Sequence, residues 1–330
     1  MLDQLGALLS TLGAASKPLG WVALAIFLAG VVLEYVDRED QARPVLVLAW
    51  VLFAAFWLAL IYPWFVHDES VVRGVGAVVA APLSLLVAKM IYEDRRSLYT
   101  LSRAVAFMGL LYAPLVVIPP VREQLILLVT NHTAFAMDLL GYNPPVVTEM
   151  TEVGIDREIA GKEEAFENTF VFWPIAGSDV TITYSIIIAC TGIGSMAVMG
   201  GLIAAVKAPL RRKLGALAIA LPIIYALNIV RNVFIGISYG HQYADFFPDV
   251  TMTVFGLDNP LRVSYIWADR IIAQSMSVVA MVLILWLVIK LLPEVMGPVE
   301  DVLFLLTGEE YDLAAALNVD GSDSQPGTAD

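Results

Sequence analysis

Cys190, the only cysteine among 330 residues, lies between Ala189 and Thr191-Gly192 at one end of an apolar run. Arg231 and Arg270 lie within the next two apolar runs. A thiolate is the nucleophile in cysteine catalysis, and nearby cations stabilise it. Arginine is too basic to accept a proton, so it can stabilise a thiolate, bind a carbonyl oxyanion or clamp a phosphate. These residues predict thiol attack on an acyl carbon to give a thioester, which water or another nucleophile then releases.

Polar side chains accompany both arginines at helical spacing. Asn228 and Asn232 lie three residues before and one residue after Arg231, and Gln274 follows Arg270 by four residues. An arginine inside a span costs at least about 2.5 kcal/mol, so it is expected to face a bundle interior or water. The spacing therefore predicts an inward, hydrated face on both helices.

The sequence leaves the proton acceptor for the thiol open, with His241 and Asp269 as candidates. Asp269 could instead simply form an ion pair with Arg231 or Arg270. Taken singly, a cysteine in a span is commonly a packing residue and an intramembrane arginine is often structural; it is their joint occurrence that favours a site. One cysteine and three scattered histidines predict neither a metal site nor a disulfide, and we expect no cofactor.

The composition is that of a membrane protein with an acidic surface. Hydrophobic residues are 59% of the chain, charged residues are 15%, and the net charge is −13. The chain has six lysines, residues 142–181 carry eight Asp/Glu, and residues 291–330 carry nine. Acidic, lysine-poor soluble parts predict a halophilic archaeal source. The acidity also argues against a nucleic-acid partner.

The apolar runs predict an all-α polytopic membrane protein with about seven transmembrane helices, or eight if residues 121–141 also cross the membrane. Otherwise that segment lies in the interface or is re-entrant. We expect a multi-span catalytic domain over residues 1–292, with a lid-like extracytoplasmic insert at 142–183. An acidic, partly disordered cytoplasmic tail follows over 293–330. The predicted spans cover about 19–36, 45–66, 74–92, 104–118, 184–206, 214–237 and 262–291.

The topology predicts that the thiol and both arginines share one depth. The loop at 207–213 carries four Lys/Arg and is the strongest cytoplasmic signal. The last three spans then place Cys190, Arg231 and Arg270 roughly 9–12 Å below the extracytoplasmic boundary, at 1.5 Å per residue. We therefore expect one site near the outer face of a cell membrane.

The motifs around these residues resemble the exosortase/archaeosortase family of membrane transpeptidases. The resemblance rests on Ala189-Cys190-Thr191-Gly192 with Ser195, on Asn228-Ile229-Val230-Arg231-Asn232, and on Arg270 in the following span. It covers residues 180–290 and implies that Cys190 is the nucleophile, with Arg231 and Arg270 as its partners.

The family resemblance also implies the partners. They would be exported proteins, such as S-layer glycoproteins, with a C-terminal signal made of a Pro-Gly-Phe motif, a transmembrane helix and a basic end. The signal would be removed and the new C-terminus attached to a membrane lipid acceptor. Two other functions stay open from the residues: a transporter or channel that uses Arg231 and Arg270 as an anion site, and a cysteine protease without lipid attachment.

Overall fold

The computed structural model describes residues 13–159, 162, 164–174 and 179–316. Within these residues, six helices are long and apolar enough to cross a membrane, and they match six of the seven predicted spans. The helices are α1 (Ser16–Tyr35), α2 (Glu39–Tyr62), α3 (Val71–Tyr92), α4 (Leu98–Val117), α5 (Pro119–Leu139), α6 (Ile193–Ala205), α7 (Leu210–Gly240), α8 (Pro248–Phe255), α9 (Arg262–Tyr265), α10 (Gln274–Leu291), α11 (Met296–Thr307) and α12 (Leu313–Ala316). The π-helix Pro63–His67 extends α2, and the π-helix Ile266–Ala273 joins α9 to α10 in one continuous span.

The first four helices form a separate apolar core around Phe27 and Trp50. The Trp50 indole donates to the Ser102 hydroxyl at 2.9 Å, which satisfies two polar groups inside this core. Arg103 and Glu34 form a buried ion pair at 2.7 Å. These contacts join α1, α2 and α4 into a scaffold for the second half of the chain.

The prediction of one helix through the fifth span is wrong. The predicted segment 184–206 begins in a β-strand, passes through a 3₁₀ turn over Ile188–Cys190, and becomes α-helical only at Ile193. The physical reason is Gly192, whose backbone φ of +76° is incompatible with a continuous right-handed helix. Cys190 therefore lies just before a helix N-terminus rather than inside a helix.

The 13-residue helix α6 is shorter than the helices that span a membrane alone, and it packs closely against α4. A Cβ atom on Gly201 would lie 2.6 Å from the backbone nitrogen of Met108 and 2.7 Å from the carbonyl oxygen of Ala104. Glycine at this position thus allows the two helix backbones to touch.

Residues 119–139, for which the sequence left several placements open, form the single helix α5. A break at Ile118-Pro119 separates α5 from α4, and α5 is not among the helices apolar enough to cross. Its fully buried residues Ile126, Val129 and Met137 pack against the insert and α7. The helix therefore forms part of the wall around the site.

The insert contains a three-stranded antiparallel sheet in the order β1 (Val146–Val147), β2 (Thr169–Phe172) and β3 (Ile182–Ser185). The two longer strands, β2 and β3, overlap the stretches Thr169–Trp173 and Asp179–Tyr184, whose residue types are typical of extended structure. Phe170 and Phe172 are buried, and the sheet rests on α5 and α7.

Part of the acidic tail folds back onto the bundle. Asp301 of α11 is buried, accepts a hydrogen bond from the Ser97 hydroxyl at 2.8 Å and pairs with Arg95 at 3.5 Å. The disorder predicted for the end of the tail falls largely on residues 317–330, which lie outside the described residues.

Candidate active site

Cys190 occupies a tight turn between β3 and α6. Its backbone nitrogen donates to the carbonyl oxygen of Ile187 at 2.8 Å, and the thiol is free and partly buried. The turn ends at Gly192. A side chain is excluded at this position, because a Cβ atom there would lie 2.9 Å from the side chain of Asn228. The N-terminus of α6 follows directly, and its dipole favours negative charge in this region.

Two asparagines on α7 anchor this turn. The amide nitrogens of Asn228 and Asn232 both donate to the carbonyl oxygen of Cys190, at 2.8 Å and 2.9 Å. Asn228 and Asn232 lie one turn apart on α7, so both can reach one acceptor. The asparagines predicted as polar neighbours of Arg231 thus hold the cysteine backbone against the helix that carries Arg231.

Asp269 joins the two arginines. Its Oδ1 accepts from Arg231 Nη2 at 2.5 Å, and its Oδ2 lies 3.1 Å from Arg270 Nη1. The three side chains are only 17%, 14% and 7% exposed for Arg231, Arg270 and Asp269, so their charges are weakly screened. The cluster carries a net charge of about +1, which is available to a thiolate or an oxyanion.

The π-helix Ile266–Ala273 holds the last two members of this cluster. Within the described span of residues 262–291 it is the wide turn between α9 and α10, and such turns often mark functional sites. The Arg270 guanidinium also lies 5.2 Å from the centre of the Tyr265 ring, a cation–π contact. Carboxylate and aromatic ring together orient Arg270.

Tyr184, on β3, is a site residue that the sequence analysis missed. Its hydroxyl donates to the side-chain oxygen of Asn232 at 3.3 Å, and it interacts with the thiol of Cys190. Arg231 and Asp269 are close enough to interact electrostatically with the same thiol. Residue alternation along Ile182–Ser185 could have indicated Tyr184 as an inward-facing residue, because β3 alternates buried and half-buried positions.

Two predicted supporting residues have other partners. Gln274 accepts a hydrogen bond from Ser70 at 2.7 Å, so it ties α10 to α3. His241 packs among the rings of Tyr142 and Phe172. His241 directly follows α7, ten residues after Arg231, which corresponds to about 15 Å along the helix axis. The structure therefore does not bring His241 to the cluster of Arg231, Asp269 and Arg270.

Thr191 and Asp269 also have structural partners that limit their chemistry. Thr191 is fully buried and donates to the carbonyl oxygen of Ile188 at 2.7 Å, which closes the turn that carries Cys190. Asp269 has both oxygens engaged by guanidinium groups, so it orients the arginines and is poorly placed to accept a proton.

The chain is similar to known membrane proteins of one family. The family model described as "Transmembrane exosortase" matches residues 14–258, which include Cys190 and Arg231. The chain is 42% identical to Archaeosortase A of Haloferax volcanii over 318 residues, covering 93% of this chain and 99% of that protein. It is 39% identical to Archaeosortase A of Natronomonas pharaonis over 311 residues, covering 93% and 94%.

No solved structure matches the chain. Relatives in two halophilic archaea support the halophilic source predicted from the acidic composition. The spans confirm a multi-pass membrane protein. Because the family model covers most of the chain and the two relatives extend over nearly all of it, the chain belongs to the transmembrane exosortase family.

Proposed function

We propose that Cys190 is the nucleophile of this enzyme and that Arg231 and Arg270 stabilise the negative charge that develops beside it. As a member of its family, the chain is a membrane-embedded cysteine transpeptidase that processes C-terminal sorting signals of exported proteins. The observation that carries the assignment of roles is the shared carboxylate of Asp269. It pairs with both guanidiniums, and of the charged side chains Arg231 and Asp269 interact with the Cys190 thiol.

The first chemical step forms a thioester. The Cys190 thiol loses its proton, and its sulfur attacks the carbonyl carbon of the scissile peptide. The carbonyl oxygen gains the negative charge, which the cluster of Arg231, Asp269 and Arg270 is suited to stabilise. The C–N bond then breaks, the departing amine takes up a proton, and the C-terminal segment leaves.

The second step releases the enzyme. A nucleophile attacks the thioester carbon, forms a new bond to the acyl group and returns the sulfur, which regains a proton. We propose that the nucleophile belongs to a membrane lipid, since an acyl-enzyme at membrane depth is close to lipid headgroups. We also propose that the signal contains a Pro-Gly-Phe motif and a transmembrane helix, and that S-layer glycoproteins are substrates.

Dependence on the thiol distinguishes the enzyme from an anion transporter. The net charge of about +1 on the cluster could attract a solute anion as well as an oxyanion, so the charges alone do not separate the two functions. A transporter should retain function with Cys190→Ala, whereas the proposed enzyme should lose it.

The test is the mass of the C-terminus of an abundant surface glycoprotein, from cells with the wild-type protein or with Cys190→Ser. We expect a trimmed, lipid-linked C-terminus in the wild type and an intact C-terminal helix in the variant. A trimmed terminus without lipid would instead indicate a simple protease. Identical termini in both strains would contradict the assignment of Cys190 as nucleophile.

A further inference from the structure

An apolar groove runs along the membrane-embedded surface between α7 and α10, beside the start of α6. Its volume is about 400 Å³. The lining includes Gly192, Asn228 and Arg231 of the candidate site at one end, and Ile224 and Ile284 at the other. The groove is therefore continuous with the candidate site.

The polarity of the groove changes along its length. Asn228, Arg231 and Ser195 lie at the end near Cys190, whereas deeper positions are mostly apolar. Ser277 is the polar residue deeper in the groove, and its hydroxyl donates to the carbonyl oxygen of Ala273 at 2.7 Å, so its hydrogen bond is satisfied within its own helix. Such a groove suits a ligand that is polar at one end and apolar over the rest.

The side of the groove is open toward lipid. Val230 on α7 is 64% exposed and Met276 on α10 is 60% exposed, although both lie in membrane-spanning helices. Ala273 at the end of the π-helix, followed by Ser277 and Ala280 on α10, gives small residues at spacings of four and three along this wall. Small residues at this spacing allow a second helix to approach closely within a bilayer.

The length of the groove fits a short stretch of helix. The positions of Ile224 and Arg231 on α7 are seven residues apart, which corresponds to about 10 Å or two helical turns. If a transmembrane helix of a substrate bound in the groove, the substrate residues that precede the helix would lie beside Cys190. A peptide bond just outside a transmembrane segment would then meet the thiol.

We propose that this groove is the docking site for the apolar transmembrane helix of the sorting signal, and that it positions the scissile bond at Cys190. The proposal rests on the proposed function and adds the surface that recognises the substrate in the membrane. The groove begins at the candidate site itself. Binding of the helix in the groove would therefore also bring the scissile bond to Cys190.

Photocrosslinking in Cys190→Ser membranes tests this proposal. A benzoylphenylalanine is placed at Met276 in the groove or, as the matched control, at Val278, which is 53% exposed on the same helix but outside the groove lining. The probe is the intact surface glycoprotein of the same cells. We expect at least roughly five-fold more cross-linked glycoprotein from position 276.

Three outcomes would overturn the docking site. These are equal cross-linking from both positions, adducts at position 276 that contain only lipid, and cross-linking from Leu139 instead. Leu139 lines a separate groove between α5 and α7, with a volume of about 550 Å³.

A second pair of variants measures the effect on turnover with Cys190 intact. Ala280→Phe fills the groove, whereas Val279→Phe introduces the same side chain at an exposed position beside it. We expect Ala280→Phe alone to slow glycoprotein cleavage at least ten-fold, while a small alkylating reagent modifies Cys190 at the wild-type rate in both. Unchanged cleavage in Ala280→Phe would count against the groove.

The two proposals fail separately. If Cys190→Ser still trims the glycoprotein, the nucleophile is wrong, and the cross-linking still reports on the groove. If cleavage depends on Cys190 and position 276 gives no excess cross-linking, the docking site alone is wrong.

Discussion

Asp269 accepts a hydrogen bond from Arg231 at 2.5 Å between Oδ1 and Nη2, across the contact between α7 and the π-helix that precedes α10. The second oxygen of the same carboxylate pairs with Arg270. One acidic residue therefore orients the two cations that two separate helices contribute. The arrangement makes Asp269 a positioning residue for both arginines.

Asp269→Asn should lower both stability and activity. Removing the carboxylate charge leaves two poorly solvated guanidiniums without their counterion, which typically costs about 3–5 kcal/mol for a buried pair. Thermal unfolding in detergent and glycoprotein cleavage would measure the two effects. The control is Asp68→Asn, whose partner Arg73 lies in a much more exposed pair at 3.1 Å. Wild-type activity in Asp269→Asn would contradict the positioning role.

Arg231→Lys should reduce turnover while it preserves the charge. A lysine ammonium is a point charge that cannot reproduce the planar donors of arginine. Loss of one oxyanion-stabilising group commonly costs about 10²–10³-fold in kcat, and we expect a loss in this range. Arg212→Lys on the same helix is the control, since Arg212 pairs with Glu294 in a half-exposed position. Equal kcat values for the two variants would argue against a role at the reacting centre.

Asn232→Ala should loosen the turn that carries the thiol. It removes the 2.9 Å hydrogen bond to the Cys190 carbonyl oxygen at a side chain that is fully buried. We expect a loss of about 1–3 kcal/mol in the free energy of unfolding, together with slower cleavage. Asn131→Ala, at an exposed position on α5, should change neither quantity.

Tyr184→Phe should affect chemistry more than folding. The variant keeps the ring in the core of the insert and loses only the hydroxyl that contacts Asn232 and acts on the thiol. We expect lower kcat and an altered pH profile of kcat, with a change in stability of about 1 kcal/mol. Tyr35→Phe, at a side chain that is 61% exposed, serves as the comparison. An unchanged pH profile would assign Tyr184 to packing alone.

Acid should strengthen the contact between α11 and the bundle. Burial raises the pKa of Asp301 above its ordinary 3.8, and the contacts with Ser97 and Arg95 oppose this shift only in part. Because the folded-state pKa is the higher one, this contribution to stability is fully present below pH 3.8 and is lost as the pH rises through the folded pKa.

Asp301→Asn should therefore raise the melting temperature at pH 7 relative to wild type, and the difference should shrink toward pH 4. Glu309→Gln, at an exposed position nearby, should give no such pH-dependent difference. A variant that is less stable than wild type at pH 7 would show that the pairing with Arg95 outweighs the burial of the carboxylate.

Much of the architecture could be predicted from the sequence. Long apolar runs must bury their backbone polar groups as helices within lipid, so the positions of six spans followed from composition alone. Cys190, Arg231 and Arg270 could be selected because each is costly or rare in such a run. The asparagines around Arg231 could be selected by helical spacing.

The sequence pattern did not reveal how the fifth apolar segment divides. Its hydropathy is uniform, and only the conformation at Gly192 separates the turn of Cys190 from α6. The spacing of Gln274 predicted that it shares an inward face with Arg270, but not that its hydrogen bond goes to Ser70, which is 204 residues away in the chain. Helical periodicity shows which side chains share one face of a helix, but it does not show which neighbouring helix that face contacts.

By itself, the sequence determined the membrane-embedded class, the apolar spans and the residue types available for thiol chemistry. Only the tertiary structure decided that Asp269 bridges Arg231 and Arg270, that β3 brings Tyr184 to the thiol, and that a groove leads from this site along α7 and α10. Hydropathy and spacing act within one segment. The site depends on contacts between segments, which are set by how the helices pack against one another.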